Sequence, residues 1–597
     1  MSLDIITLEV VRNRLEAIAQ EMQNTLIRSA FSVTLKEGAD CSCAIFSPIG
    51  DIVAQATANV GHLAVFVPAM ERILQDFPLP SLDEGDVIIV NDPYAGGTHM
   101  PDIIIVVPIF HEGEVVSFGC SLGHMIDVGG RAPGSMASDS TEIYQEGLAI
   151  PPTKLYDAGK PNQTLFSIME RNIRAPKLVF GDMMALVAAG RTAARRISEV
   201  IGHYGVETYK SVIPALLDNS EKLTREGIEK IPDGVYEFID YVDNDGIDLD
   251  KSIAITVRIE IAGSNITFDF SDSGPQVKGP ANCGPGAILA PAHFVVRAIT
   301  GSQIPSNSGC FRPITIKTPR RSIIASERPA PVAYRYHTLK RVVDTVLGAL
   351  APALSGRIPA APHGSDHCAS WGIVDPVTGE RDVFMDVITG GSGAGIDRDG
   401  VDHLSCDLGN STNIPAEAVE LEYPIRVWSH NQRADSGGAG KYRGGLGVER
   451  ELELLTGEVL ISTRSDRHAS QPWGLGGGKP GRRWISAVRR AGGEIEIVHG
   501  RATIEMKAGD RLVVLSGGGG GYGSPYEREV EKVVADVRDG KVSSKSARED
   551  YGVVIDAAGK VDREATARLR RESAKPGANS FEVARGTFGL APSLTAA

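Results

Sequence analysis

Cysteine is scarce. Seven in 597 residues are too few and too scattered for a disulfide framework. The closest pair, Cys41 and Cys43, forms a C-x-C with no second pair to complete a zinc knuckle. Reduced thiols and a cytoplasmic setting are therefore expected. Long apolar runs are also missing: none approaches the ~18 residues that span a membrane. Acidic residues interrupt the apolar ones of MSLDIITLEVVRNRLEAIAQ, which speaks against a signal peptide. A basic excess is absent too. With 61 Lys and Arg against 75 Asp and Glu, the net charge of −14 argues against nucleic acid or an anionic membrane as partner. Neither G-x-x-x-x-G-K-[ST] nor the nucleophile elbow G-x-S-x-G occurs, and GGSGAG (390–395) fits neither. The chain is not expected to bind ATP by itself or to act as a serine hydrolase.

Glycine is in excess, 67 residues or about 11% against a usual ~7%. Much of it falls in GGSGAG, SGGAGKYRGGLG (436–447), GLGGGKPG (474–481) and SGGGGGYG (516–523). None of these follows a strand and opens a helix, so they read as tight turns or close backbone approach, including at subunit interfaces. Residues 4–30 carry Leu8, Val11, Leu15, Ile18, Met22 and Leu26 at steps of three or four, an amphipathic helix. Residues 66–77 and 162–232 also read as helices, with helix-rich parts at 283–300 and 337–358. Residues 234–270 alternate with period two, as antiparallel strands do. RAPGSMASDSTEIYQEGLAI (131–150) is a long polar loop, of a length expected of a lid, a binding loop or a disordered segment. No fixed-period repeat is visible. The expected fold is mixed α/β (α+β) and multidomain, with antiparallel and mixed sheets, an N-terminal helix and a glycine-rich β C-terminal half. The expected units are 1–232, 233–380, 381–526 and a helical segment with a tail at 527–597.

The chemistry concentrates around NDPYAGGTHMPD (91–102). A turn with a Gly-Gly hinge delivers His99 and Asp102 just before the apolar strand 103–110. A second strand then ends at His124 and Asp127. An imidazole and a carboxylate three residues apart on a turn can meet one ion at the ~2.0–2.2 Å that Zn²⁺ requires. His124 would add a third ligand and Asp40, at the mouth of a β-hairpin, a fourth. Such a set with an open position has the form of a catalytic metal centre. Ordinary strand-end histidines and a turn aspartate are the alternative. Asp127 could orient a ligand histidine from behind or close an Asx turn. His62, in ANVGHLAVF, reads as a capping or core histidine. Cys41 and Cys43 would both face away from Ser42 into the core. A mixed N/O set suits Zn²⁺ or Mn²⁺.

The blocks KEGADCSCAIF, GDIVAQA, NDPYAGGTHMPD, GHMIDVGGRAPGSM, QEGLAIPP, FDFSDSGPQVKGPAN, GNSTNIPAEAVELEYP, DSGGAGKYRGGLGVER, PWGLGGGKPG and GGGGGYGSP, spread over residues 1–555, resemble the hydantoinase B/oxoprolinase family. The resemblance implies one divalent ion held by His99, Asp102 and His124, with Asp40 able to join. It also implies an A-type partner subunit in a hetero-oligomer, which binds ATP-Mg and phosphorylates the substrate carbonyl. On that basis the chain would complete hydrolysis of a cyclic amide such as a hydantoin, oxoproline or a lactam. The alternatives are an ATP-dependent ketone carboxylase of acetone or acetophenone type, forming a β-keto acid from ketone and bicarbonate, and a non-catalytic scaffold. Chain length favours the hydrolase, because the large insertions expected of acetone carboxylase are missing. One departure runs the other way: Met125 stands where many ring-opening members have a second histidine, and a thioether can neither accept a proton as a base nor donate a hydrogen bond.

Overall fold

The computed structural model describes residues 4–57, 62, 64–301, 303–374, 378–409, 411–556, 558–573 and 583–585. Helix α1 (Ile5–Ser29) starts where the Asp4 side chain accepts from the backbone N–H groups of Ile6 and Thr7. After the short α2 (Val33–Lys36) come β1 (Cys41–Phe46), β2 (Ile52–Gln55), α3 (Phe66–Asp76), β3 (Val87–Val90), β4 (Asp102–His111), β5 (Glu114–His124), β6 (Thr153–Asp157) and β7 (Lys160–Pro161). The seven strands form one antiparallel sheet in the order β2-β1-β5-β4-β3-β6-β7. Its centre is buried on both faces, so β4 reads as an unbroken apolar run without alternation. Ile103, Ile105 and Val107 pack with α1 and α5 (Pro176–Tyr204), while Ile104 and Val106 meet Phe66, Met70 and Ile73 of α3. Helices α4 (Gln163–Asn172) and α6 (Val206–Ile228) complete the helical layer.

A second sheet follows, in the order β11-β10-β9-β8, from β8 (Gly234–Val242), β9 (Ile253–Ala262), β10 (Asn265–Asp269) and β11 (Ile314–Lys317). Residues 234–269 pair antiparallel as expected, and β11 adds parallel to β10, so the sheet is mixed. Ile255, Val257 and Ile259 share a core with α7 (Leu289–Thr300) and α8 (Arg335–Leu350). Both helices begin a few residues from the expected positions, α7 later and α8 earlier.

The next part is a sandwich. One sheet is β13-β12-β16-β20, built from β12 (His367–Val374), β13 (Arg381–Ile388), β16 (Glu458–Arg464) and β20 (Arg501–Lys507). The other is β14-β15-β21-β18-β19, built from β14 (Ile425–Gln432), β15 (Val448–Leu454), β18 (Ile485–Arg489), β19 (Ile495–Val498) and β21 (Arg511–Leu515). Trp371, Phe384 and Ile461 of the first meet Leu452, Val488 and Val514 of the second. The short α9 (Ala416–Glu422) leads into β14. Helices α10 (Val530–Arg538) and α11 (Ser544–Glu549) pack Val533 and Ala547 with Ala439, and α12 (Arg563–Ser573) follows. A two-residue strand β17 (Gly474–Leu475) pairs with β22 (Val583–Ala584).

The four glycine clusters pack against one another inside the sandwich region. Gly391 N–H donates to Gly517 O, Gly445 N–H to Ser392 O, Gly519 N–H to Gly445 O and Gly438 N–H to Gly519 O. The backbones lie so close that a Cβ on Gly519 or Gly391 would sit 1.9 Å from Ser392 O or Gly445 O. This is a core of main chain, satisfied by its own hydrogen bonds, and it requires residues without side chains.

The loop at 131–150 is neither a free lid nor a disordered segment. Ala132, Met136, Ala137, Ile143 and Ile150 are buried, Ser138 Oγ is 2.8 Å from Thr503 Oγ1, and Glu146 accepts from the backbone N–H groups of Val332 and Ala333. It straps the first sheet to the sandwich and to the approach to α8. Among the described residues no helix is long and apolar enough to cross a membrane.

Gly519→Ala is expected to destabilise the protein by ~1–3 kcal/mol or more, as overpacking against fixed backbone does. Exposed Gly492, where a Cβ meets nothing within 4 Å, should tolerate alanine to within about 0.5 kcal/mol. Thermal denaturation of the two variants beside wild type checks both.

Candidate metal centre

Strand register builds the centre. Asp102 opens β4 and pairs with His124, which closes β5. On the other side of β5, Cys41 pairs with Gly123, and His124 N–H donates to Asp40 O. Asp40, His124 and Asp102 therefore stand in one row across the ends of three adjacent antiparallel strands, where opposed residues project from the same face. His99 joins from the turn before β4. Asp92 caps a short 3₁₀ turn at 93–95, Gly96 takes a positive φ, and Asp102 N–H closes the turn onto His99 O. A Cβ on Gly96 would strike the backbone of Ala69 at 2.3 Å, so the hinge lies flat against α3.

One ligand atom from each of His99, Asp102 and His124 lies within 4.8 Å of the others. His99 Nε2 is 3.2 Å from Asp102 Oδ1 and the two imidazole centroids are 4.9 Å apart. Both nitrogens of His99, both of His124 and Asp102 Oδ1 are buried without a hydrogen-bond partner. Five such atoms in one spot are unusual in a folded protein. The other oxygen of Asp102, Oδ2, is held by Arg335 Nη2 at 2.7 Å and by the Thr98 hydroxyl, which turns Oδ1 towards the histidines. Burial lowers His99 to about 3, with the positive charge of Arg335 adding to the effect, and it lowers His124 to about 3 as well, helped by His99. Burial alone would raise Asp102, but His99 and Arg335 outweigh it and hold the carboxyl well below its ordinary value. Neutral imidazoles beside an ionised carboxylate are the donor forms that bind a divalent cation. The residues present fit such an ion.

These groups open onto a cavity between the sheet edge, the first turns of α8 and the sandwich, lined also by Asp40, His62, Tyr336, Leu339, Asp366, Cys368, Met385 and Arg464. Asp40 lies at this wall with its Oδ1 3.7 Å from His62 Nε2, outside the tight three-residue cluster. His62 is thus not a capping or core histidine. It lines the cavity, and its Nδ1 is 3.0 Å from Ser42 Oγ on β1. Cys41 and Cys43 do turn to the opposite face, into the core with α1.

Asp127 is placed differently from a ligand-orienting residue. Its carboxylate accepts from the N–H groups of Gly129, Gly134 and Arg174 and from the Arg174 guanidinium at 2.9 Å. It closes the Asx turn and anchors the 131–150 strap, and its acceptors are taken by backbone and Arg174. Met125 is fully buried in the core beneath the helices and does not line the cavity. Its identity therefore removes no group from the site. Of residues 363–366, Asp366 lines the cavity, while His363 lies edge-on to Trp484 with its ring nitrogens turned to the carbonyls of Ser365 and Leu404, to which only an N–H can donate. Arg335, Tyr336 and Arg464 were not singled out by spacing, because no local pattern links α8 or β16 to residue 99.

Fold and site together define a class: a mixed α/β chain whose first sheet presents two histidines and an aspartate at its edge, into a cavity closed by a β-sandwich. The chain belongs to the Hydantoinase B/oxoprolinase family, which matches residues 4–525. An uncharacterized protein of Methanocaldococcus jannaschii is 37% identical over 575 residues, 95% of this chain and 100% of that one. Caprolactamase subunit beta of Pseudomonas jessenii is 30% identical over 95% of this chain and 98% of its own length. The crystal structure of ATP-dependent caprolactamase from the same organism shares the fold with a TM-score of 0.88 at 29% identity, over 96% of this chain and 100% of that one. The nucleotide-free structure of acetone carboxylase gives the same TM-score at 21% identity, over 96% of this chain and 84% of that one, a likeness of fold alone.

The depressed histidines would set the pH behaviour of an ion held here. Protons compete with metal only once the imidazoles begin to titrate, near pH 3–4 instead of near the unperturbed ~6.5. Metal per chain, measured after gel filtration at stepped pH, is expected to hold at pH 5 and fall near pH 4. Loss of half the metal by pH 6 would contradict this picture.

Proposed function

We propose that this chain is the metal-bearing B-type subunit of an ATP-dependent complex that opens a cyclic amide of the hydantoin, oxoproline or lactam class. In this reading an A-type partner binds ATP-Mg and phosphorylates the substrate carbonyl, and the activated substrate reaches the cavity described above. The observation that carries it is the cluster of five unpartnered buried donor atoms on His99, Asp102 and His124, set in a fold that spans the whole of the caprolactamase chain.

His99, His124 and Asp102, with Asp40 at the rim, would hold Zn²⁺ or Mn²⁺. Such an ion supplies Lewis acidity and a water of lowered pKa. The chain's own residues do the rest. Arg335 and Thr98 fix the rotamer of Asp102, and Leu339, Met385 and Val387 give the cavity apolar walls that limit water. Asp366 lines the cavity with Oδ1 free of a hydrogen-bond partner, the place from which a carboxylate would accept a proton, and Lys340 Nζ at 2.9 Å from Oδ2 outweighs burial and keeps the group ionised. The chemistry is consistent with an activated substrate. An unstrained amide is a poor electrophile, and phosphorylating its oxygen turns it into an imidate-like group that water can attack.

The test is the two-subunit complex supplied with ATP and, in separate arms, a hydantoin, oxoproline or lactam, or a ketone with labelled bicarbonate. Ring opening coupled to ATP hydrolysis is expected, and label fixed into a β-keto acid would replace the hydrolase reading with a carboxylase. His124→Ala should lower turnover by at least ~10³-fold, about 4 kcal/mol of barrier, and lose metal. Unchanged turnover in that variant would leave only a scaffold role. Asp366→Asn should lower kcat by ~10²–10⁴-fold, the range of a lost proton acceptor, with metal content intact.

A further inference from the structure

We propose that Arg464 is the residue that grips the phosphoryl group of the activated substrate. Arg464 ends β16 and its side chain lines the cavity with His99, Asp102 and His124. It is 8% exposed, and its Nη1 is buried without a hydrogen-bond partner. Other buried arginines are neutralised within the chain: Arg335 by Asp102, Arg341 by Asp344 and Asp466, Arg450 by Asp386 and Arg467 by Asp240. Arg433, which has no carboxylate, donates to the carbonyls of Arg483, Leu515 and Ser516. Among the described residues Arg464 has no ion pair. Its guanidinium touches the Cys368 thiol, a weak acceptor that burial keeps protonated and so uncharged.

A guanidinium taken out of water without a counter-charge is costly, and a ligand that supplies the charge removes that cost. The charges around the cavity indicate which ligand. In number, Asp40, Asp102 and Asp366 at the cavity are offset by Arg335, Arg464 and Lys340, which lies behind the wall on Asp366, while Arg464 itself is ion-paired with none of them. A divalent ion at the histidines then leaves two positive charges over. A dianionic phosphoryl group balances them, whereas a single carboxylate does not. The planar fork of arginine also suits two phosphoryl oxygens better than a lysine would.

This inference rests on the proposed activation by phosphorylation, and its test needs neither ATP nor a cyclic amide. The full-length chain, its metal content assayed, is titrated calorimetrically with inorganic phosphate and separately with acetate. Wild type should bind phosphate more tightly than acetate. Arg464→Met should weaken phosphate by at least ~10-fold with metal per chain unchanged, and Arg464→Lys should fall between the two. Equal phosphate affinity in wild type and Arg464→Met, no phosphate binding in wild type, or acetate held as tightly as phosphate would each overturn the assignment. If Arg464→Met does not fold, Arg464→Lys decides: weakened phosphate binding at unchanged metal supports it, and unchanged binding overturns it. Failure of ring opening in the complex leaves this result standing, and the converse also holds.

Discussion

The pairing of β4 with β5 is the constraint from which the candidate site follows. Asp102 and His124 are partners across that ladder, and Asp40 lies opposite His124 through β1. A slip of one residue would send every side chain of a strand to the other face. Here both faces are buried, by α1 and α5 on one side and by α3 on the other, so a slip would misplace two cores at once. Register is fixed from both sides, and the row of side chains at the strand ends inherits that fixity. The site is precise because the sheet beneath it has no loose face.

A rigid row of donors still needs a roof, and the roof is assembled by an unusual pair of materials. One is the glycine main-chain core, which lets loops from 390 to 523 interleave at distances that no side chain allows. The other is a buried network of charge: Arg341 contacts Asp344 and Asp466, and Arg467 contacts Asp240 and Asp344. It ties α8 to β8 and to the turn after β16. Buried ion pairs are poor sources of net stability, but removing one partner strands the other, so they fix which arrangement of layers is tolerated. Layers held in this way keep Arg335 on Asp102 and Arg464 at the wall of the same cavity.

The first half of the site was legible in the sequence because it is local. Two residues on one turn and a third at the end of the following strand are linked by spacing, and Asp40 by a hairpin signal. The glycine clusters were likewise readable as architecture. What sequence missed lies far along the chain. Helix α8 carries Arg335, His337, Lys340, Arg341 and Asp344, a composition that pattern reading assigns to a solvated surface. It is instead almost wholly buried, because carboxylates from β4, from β8, from the segment before β12 and from the turn after β16 meet its cationic side chains. Asp127 and Met125 illustrate the opposite error. They sit next to a candidate ligand in sequence, yet one binds a loop and the other fills a core, since neighbours along the chain need not share surroundings.

Helix α8 also explains how site and scaffold are coupled. Arg335, Tyr336 and Leu339 lie at its first turns and reach the cavity, and Lys340 reaches Asp366 at the cavity wall. Arg341 and Asp344, three residues apart, enter the charge network. One helix thus touches the donor row with one set of positions and the scaffold with another, as a 3.6-residue period permits. A displacement of the helix that relieved Arg335 would strain Arg341, so the guanidinium on Asp102 is held by ion pairs well away from it. Asp102 Oδ1 therefore keeps its aim at the histidines without any support from solvent.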